Sequence, residues 1–339
     1  MQKDKIVIDF PHHQAAHCEN GVTSNLLKHY GISLSEPMIF GIGSGLFFSY
    51  MPFIKVNDIP VVSFRPWPGQ IFNRINKRLG IKIERQKFRD QAESMAALDR
   101  NLDLGIPTGC LVGVYHLTYF PPAYRFHFNA HNIVVVGREN GEYLVSDPIM
   151  PSIVRLSIKD LARVRFAKGT YPPRGRMYYI QDVPGTFDLK DAILKGIHHA
   201  CNDMLTIPVP LFGIKGIRYL SRRMRNWPKK YGDKKAALYL GQVVRMLEEI
   251  GTGGAGFRFI YAAFLQESSL ILEMPRLSEI SAEMTAVGDR WREFALIAGR
   301  IFKNRAGQDE HYHAAADLLM EIADREEKIF RELREIRLP

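Results

Sequence analysis

With 339 residues, 46% hydrophobic and 24% charged, the chain has the makeup of a globular protein and enough material for two domains. It contains no run of about 18 apolar residues, so no membrane span is expected. Three widely spaced cysteines exclude a disulfide framework and a CxxC zinc site, and a formal charge of +10 leaves room for an anionic partner.

The first segment, Met1–Phe10, mixes Lys3, Asp4, Lys5 and Asp9 with a short apolar run. It lacks the apolar core and cleavage site of a signal peptide, so a cytoplasmic location is expected. A helix follows over Glu19–Tyr30, with apolar residues at Val22, Leu26, Leu27 and Tyr30 and Gly31 as its stop. Further helices are expected over Asp90–Leu104 and Ile158–Val164. Strands are expected over Pro60–Arg65, Ile81–Glu84, Gly109–Tyr115, Asn132–Gly137, Glu142–Ser146, Ser152–Leu156 and Arg176–Gln181. Asn140-Gly141 marks a hairpin turn.

The texture changes at Pro184-Gly185. Beyond it, three- and four-residue apolar spacing predicts helices over Leu189–Ala200, Lys215–Arg225, Lys234–Glu249, Phe257–Leu272, Ser278–Arg300 and Glu310–Arg334. The expected fold class is α+β, with one domain over residues 1–183 and an α-helical domain over 186–339. The helical half is expected to serve substrate binding or a homodimer contact.

One constellation carries chemistry. Cys18 stands at a helix start, where unpaired amides and the helix dipole favour a thiolate and can hold an oxyanion. His131 opens one hairpin strand and Asp147 closes the other, so a carboxylate can fix the imidazole and leave its second nitrogen for the thiol. Each residue alone has a plain reading, as a buried thiol, a strand end or a turn residue. His116 and His127 are rival bases, but neither opens a strand leading to a turn and an aspartate.

These residues resemble the papain-like cysteine peptidases. The stretch His17-Cys18, Leu26-Leu27, Tyr30-Gly31, Ser35-Glu36 and Phe40-Gly41-Ile42-Gly43-Ser44-Gly45-Leu46-Phe47 resembles the N-terminal domain of the butirosin biosynthesis protein H family. Its accompanying domain is echoed in Gly253-Gly254-Ala255-Gly256-Phe257-Arg258 and Phe264-Leu265-Gln266-Glu267. The resemblance implies a papain-like catalytic domain and an acyltransferase. An acyl group would pass from an acyl carrier protein or CoA-like thioester, through Cys18, to an amine or hydroxyl acceptor in secondary-metabolite or specialised lipid biosynthesis. His131 would shuttle the proton and Asp147 orient it.

The papain-like pattern also wants an oxyanion donor before the cysteine, for which Gln14 and His12 compete, with His17 supporting the turn. A cysteine peptidase or amidase on the same residues, or a noncatalytic binding protein, are the alternatives. Gly43, Ser44 and Gly45 lack the ending of a phosphate loop and are expected to shape an acyl pocket. Arg258, after a Gly-rich connector, is expected to be buried or to face substrate, and is taken as a substrate-binding residue. His311 and His313 point to different helix faces and make no metal site, so no metal or cofactor is expected. The basic run Lys215–Lys235 could dock an acidic carrier. Without any helix-turn-helix, zinc-finger or RNA-binding signature, it gives no case for nucleic acid.

Overall fold

The computed structural model describes residues 5–337, so Lys3 and Asp4 of the N-terminal reading lie outside the described residues. In chain order the elements are β1 (Lys5–Val7), α1 (Cys18–His29), α2 (Glu36–Ile42), β2 (Ser49–Val56), β3 (Ile59–Ser63), α3 (Gln70–Leu79), β4 (Lys82–Gln86), α4 (Gln91–Asp103), β5 (Thr108–Val112), β6 (His131–Glu139), β7 (Glu142–Ser146), β8 (Val154–Ser157), α5 (Ile158–Arg165) and β9 (Met177–Asp182). The remainder is helical: α6 (Leu189–Leu205), α7 (Gly213–Met224), α8 (Trp227–Tyr231), α9 (Asp233–Val244), α10 (Arg258–Leu272), α11 (Pro275–Phe302) and α12 (Tyr312–Glu335).

Two compact units emerge. The first comprises residues 1–36 and 76–187. It is built on an antiparallel sheet in the order β4-β9-β5-β6-β7-β8, with β1 paired to β6. Asn140 and Gly141 both adopt positive φ, 54° and 76°, as a two-residue hairpin turn between right-twisted strands requires. One core packs Leu98 and Leu102 of α4, and Leu161 and Val164 of α5, against Cys110, Val112, Ile133 and Val135 of the sheet. Helix α1 buries Val22, Leu26 and Leu27 and ends at Gly31 with φ 86°, the left-handed stop expected of a glycine there.

The second unit takes residues 37–75 together with 188–339, which differs from the contiguous division expected from sequence. The physical reason is a set of aromatic side chains. Phe40 stacks on Phe257 at 5.0 Å, and Phe48 and Phe64 meet Trp291 at 6.2 and 5.4 Å. Residues 37–75 therefore complete the helical core. β2 and β3 form a separate hairpin whose turn, Asn57-Asp58, has φ 53° and 62°. Strands β1 and β2 and helices α2, α3 and α8 are additions to the sequence reading.

Arg258 is buried at the centre of this unit. Its Nε and Nη2 donate to the two carboxylate oxygens of Glu326 at 2.8 and 3.0 Å, and its Nη1 donates to the Gly256 carbonyl at 2.8 Å. Trp291 Nε1 donates to the same carboxylate at 2.7 Å, and the guanidinium lies 5.0 Å from the Trp291 ring centroid. The expectation that Arg258 faces substrate is thereby corrected. A bidentate pair enclosed by aromatic rings is a core device, and the guanidinium is committed.

Glu326→Ala would leave that guanidinium buried without its counter-charge. The expected cost is about 3–5 kcal/mol. All three tryptophans, Trp67, Trp227 and Trp291, lie in the second unit. Urea unfolding followed by tryptophan fluorescence therefore reads this unit directly, and an unchanged midpoint would refute the assignment.

Candidate active site

Cys18 is the first residue of α1 and is 8% exposed. His17 precedes it as an extended cap residue, with φ −118° and ψ 125°, and its carbonyl accepts from the Gly21 amide. The His17 side chain does not cap the helix. Instead, the Glu36 carboxylate accepts from the backbone amides of Ala16 and His17 at 2.9 and 2.8 Å, pinning the turn that presents the thiol. Burial raises the Glu36 carboxyl above its ordinary value, against the pull of those amides and of Asn20.

His131 begins β6, opposite Val112 of β5, while Asp147 follows Ser146, which is paired with Val134. The hairpin thus returns the aspartate beside the histidine. His131 Nε2 and Asp147 Oδ2 are 2.7 Å apart, and both residues are buried. Cys18 hydrogen-bonds the same imidazole. Because Nε2 is taken by the carboxylate, Nδ1 is the nitrogen left for sulfur. Asp147 is itself held by Tyr119, whose hydroxyl donates to Oδ2 at 2.8 Å, and by the Ile149 amide, which donates to Oδ1 at 3.1 Å. Tyr119 lies 28 residues away on an irregular loop, and no spacing in the sequence points to it.

Burial alone would lower the His131 pKa. It is outweighed by the charge of Asp147, the charge of Cys18 and the hydrogen bonds to both, so the imidazole is raised well above its ordinary value and holds a proton through neutral pH. Burial works against ionisation of Asp147 too, yet His131 and the hydrogen bonds from Ile149 and Tyr119 keep its pKa below the usual carboxylate range. The other two thiols stand in contrast. Cys110 and Cys201 are fully enclosed, and burial pushes both up, Cys201 to about 12.

A second seam brings the two halves of the site into register. The Ala15 amide donates to the Pro148 carbonyl at 2.8 Å, and Gln14 Nε2 donates to the Ile149 carbonyl at 3.2 Å. His12 Nε2 donates to the Met150 carbonyl at 3.0 Å, while Nδ1 pairs with the Ser146 hydroxyl at 2.8 Å. Both nitrogens of His12 are engaged, so the expectation that it offers an oxyanion donor is corrected. Gln14 is exposed and bound to the same loop. The two rivals share one visible task, tying the segment before Cys18 to the turn after Asp147. Gly21 makes that approach possible, because a Cβ there would lie 2.4 Å from Pro148 Cβ and 2.6 Å from Ala15 Cβ.

The remaining sequence choices lie elsewhere. Gly43, Ser44 and Gly45 belong to the second unit and are buried in it. A Cβ on Gly43 or Gly45 would strike Ile71 or Phe40, and the Ser44 hydroxyl donates to the Gly196 carbonyl at 2.9 Å. Close packing, not an open pocket, surrounds all three. His127 stacks on Tyr115 at 4.3 Å, and His311 Nδ1 accepts from the Ala314 amide as the cap of α12. No group of three metal-ligating side chains occurs among the described residues.

With this geometry in hand, family comparisons become informative. Residues 17–148 match the family described as Butirosin biosynthesis protein H, N-terminal, and residues 159–333 match the one described as Domain of unknown function (DUF4872). The second model spans just over half of the chain, which belongs to that family. Among solved structures, it is similar to a protein described as a C39-like peptidase from Bacillus anthracis, at 13% identity and a TM-score of 0.38, covering 54% of this chain and 100% of that one. It is also similar to the peptidase domain of Streptococcus ComA, described as a bi-functional ABC transporter in a quorum sensing pathway, at 18% identity and a TM-score of 0.32, covering 54% and 99%. No curated protein matches it. The first unit sets a cysteine-initiated helix against a sheet that supplies histidine and aspartate.

Two variants test this electrostatic account. Asp147→Asn removes the largest upward influence on His131 and leaves burial in place, so the imidazole titration midpoint should fall, as followed by its ring proton resonances in NMR. An unmoved midpoint would contradict it. Gly21→Ala should force the Pro148 turn away at a cost of about 1–3 kcal/mol. It should also slow alkylation of Cys18 even where the protein remains folded.

Proposed function

We propose that this protein is an acyltransferase working through a Cys18 acyl-enzyme, with His131 as proton shuttle and Asp147 as its orienter. The observation that carries the reading is that Cys18 and Asp147 bond the same buried imidazole, with the sulfur at the amino end of a helix. The influence of thiolate and imidazolium is mutual. What keeps the proton on His131 also keeps it off Cys18.

In the first half-reaction the thiolate attacks the carbonyl carbon of a thioester on a carrier protein or CoA-like pantetheine. The oxyanion forms near the positive end of the α1 dipole. On collapse the carbon–sulfur bond to the donor breaks, and its thiolate takes the proton from His131. In the second half an amine or hydroxyl attacks the Cys18 thioester, His131 accepts its proton, and the Cys18 thiolate departs. The match over residues 17–148 supports acyl transfer over peptide cleavage, because the matching model bears the name of a biosynthesis protein. A cytoplasmic setting accords with three free thiols, and no described helix is long and apolar enough to cross a membrane. Self-association of the helical unit belongs to the same reading.

Mixing the protein with an acyl-thioester of N-acetylcysteamine should add one acyl mass, localised to Cys18, and Cys18→Ala should show none. Discharge by an added amine in preference to water supports transfer, whereas hydrolysis alone, or cleavage of a peptide panel, supports the peptidase alternative. Iodoacetamide should label Cys18 far faster than Cys110 or Cys201. In the native protein the rate should persist well below pH 8, while in His131→Ala it should fall as pH drops below the ordinary thiol value of about 8.5. Equal labelling of all three cysteines would favour a noncatalytic scaffold.

A further inference from the structure

The β2–β3 hairpin of the second unit carries an irregularity that its own fold does not use. Met51 pairs with Val61 and Lys55 with Pro60, so Pro52, Phe53 and Ile54 loop out of β2 with no counterpart on β3. The residues displayed are apolar. Phe53 is 71% exposed, Ile54 41% and Val56 42%. Side chains on both faces of the strand are wet from Phe53 to Val56. Large apolar residues gathered on a bulge mark a contact surface, because bulges re-aim side chains and soluble proteins rarely cluster exposed apolar groups without use.

The neighbourhood is basic. Tyr50, just before the bulge, packs against Tyr219 of α7 and Trp227 of α8. The hairpin turn meets the α8–α9 connection in a cleft lined by Asn57, Asp58, Tyr231, Lys234, Leu238 and Tyr239. The basic run divides in two here. Arg218 is neutralised by Asp324 and Glu327, and Arg225 by Asp317, all on α12. Lys55 and Lys235 share Asp58. Arg222, Lys229 and Lys234 are exposed, and Lys230 lies over the Tyr231 ring. The carboxylates beside them are Asp58 and Asp233.

We propose that this hairpin and its flanking lysines seat the protein on an anionic bilayer surface, with Phe53 and Ile54 entering the headgroup region and Lys229, Lys230 and Lys234 bound to lipid phosphates. Exposed apolar side chains on a bulge can enter a soft, planar acceptor, and nearby lysines can keep their charges in water while their stems lie along the apolar phase. An electrostatic dock for an acidic carrier, the reading suggested by the sequence, uses the lysines but gives the looped-out apolar residues no role. The inference is independent of the Cys18 chemistry.

Flotation of the full chain with phosphatidylcholine vesicles containing about a third phosphatidylglycerol tests it. Binding is expected to anionic vesicles and not to phosphatidylcholine alone. Lys229→Ala, Lys230→Ala and Lys234→Ala together should weaken it by about a hundredfold. Phe53→Ser with Ile54→Ser should weaken it on the order of tenfold while leaving the circular-dichroism melt unchanged. Absence of vesicle binding would overturn the proposal, as would binding indifferent to Phe53 and Ile54. So would salt-sensitive binding of an acidic carrier protein through these lysines with no affinity for vesicles.

Discussion

Pro148 rests directly against Gly21, and the chemistry of the first unit depends on that contact. Asp147 immediately precedes the proline and Cys18 opens the helix that contains the glycine. Pressing one against the other fixes the distance between a thiol and a carboxylate that are far apart in sequence. The hydrogen bonds from His12, Gln14 and Ala15 to the turn hold the same contact from the flank. Any atom added at Gly21 would have to be accommodated by the turn that carries the carboxylate.

Given that placement, the electrostatics follow. A buried imidazole by itself prefers neutrality. Here it stands between two anionic groups, one on each ring nitrogen, and those interactions outweigh the burial. Tyr119 and the Ile149 amide keep Asp147 ionised in surroundings that would otherwise protonate it. The result is an imidazole biased toward its charged form beside a thiol at a helix start.

The second unit solves a different problem. It buries a guanidinium and a carboxylate completely, which is tolerable because the pair is bidentate and Trp291 contributes a third hydrogen bond. Residues 37–75 supply Phe40, Phe48 and Phe64 to this core, and the glycines around Ser44 let backbone and ring approach closely. A segment that reads as a phosphate-loop mimic or pocket edge is in fact packing material. The helical unit also keeps its charges unevenly matched, with α12 neutralising one side of the basic run and leaving the other open.

Much of this was legible in residue order. Run length, residue type and turn signals located most strands of the sheet, and period-3.6 patterning located the long helices, because those signals come from backbone geometry. The stop of the first helix and the hairpin that returns Asp147 toward His131 are local features, written in Gly31, Asn140 and Gly141. What sequence alone could not decide involves partners distant along the chain. Tyr119 reaching Asp147, Glu36 gripping the amides before Cys18, His12 spent on Ser146 and Met150, Arg258 sealed by Glu326, and residues 37–75 joining the helical core are all choices of tertiary packing. Burial and long-range hydrogen bonding assign those partners, and neither leaves a periodic trace in the sequence.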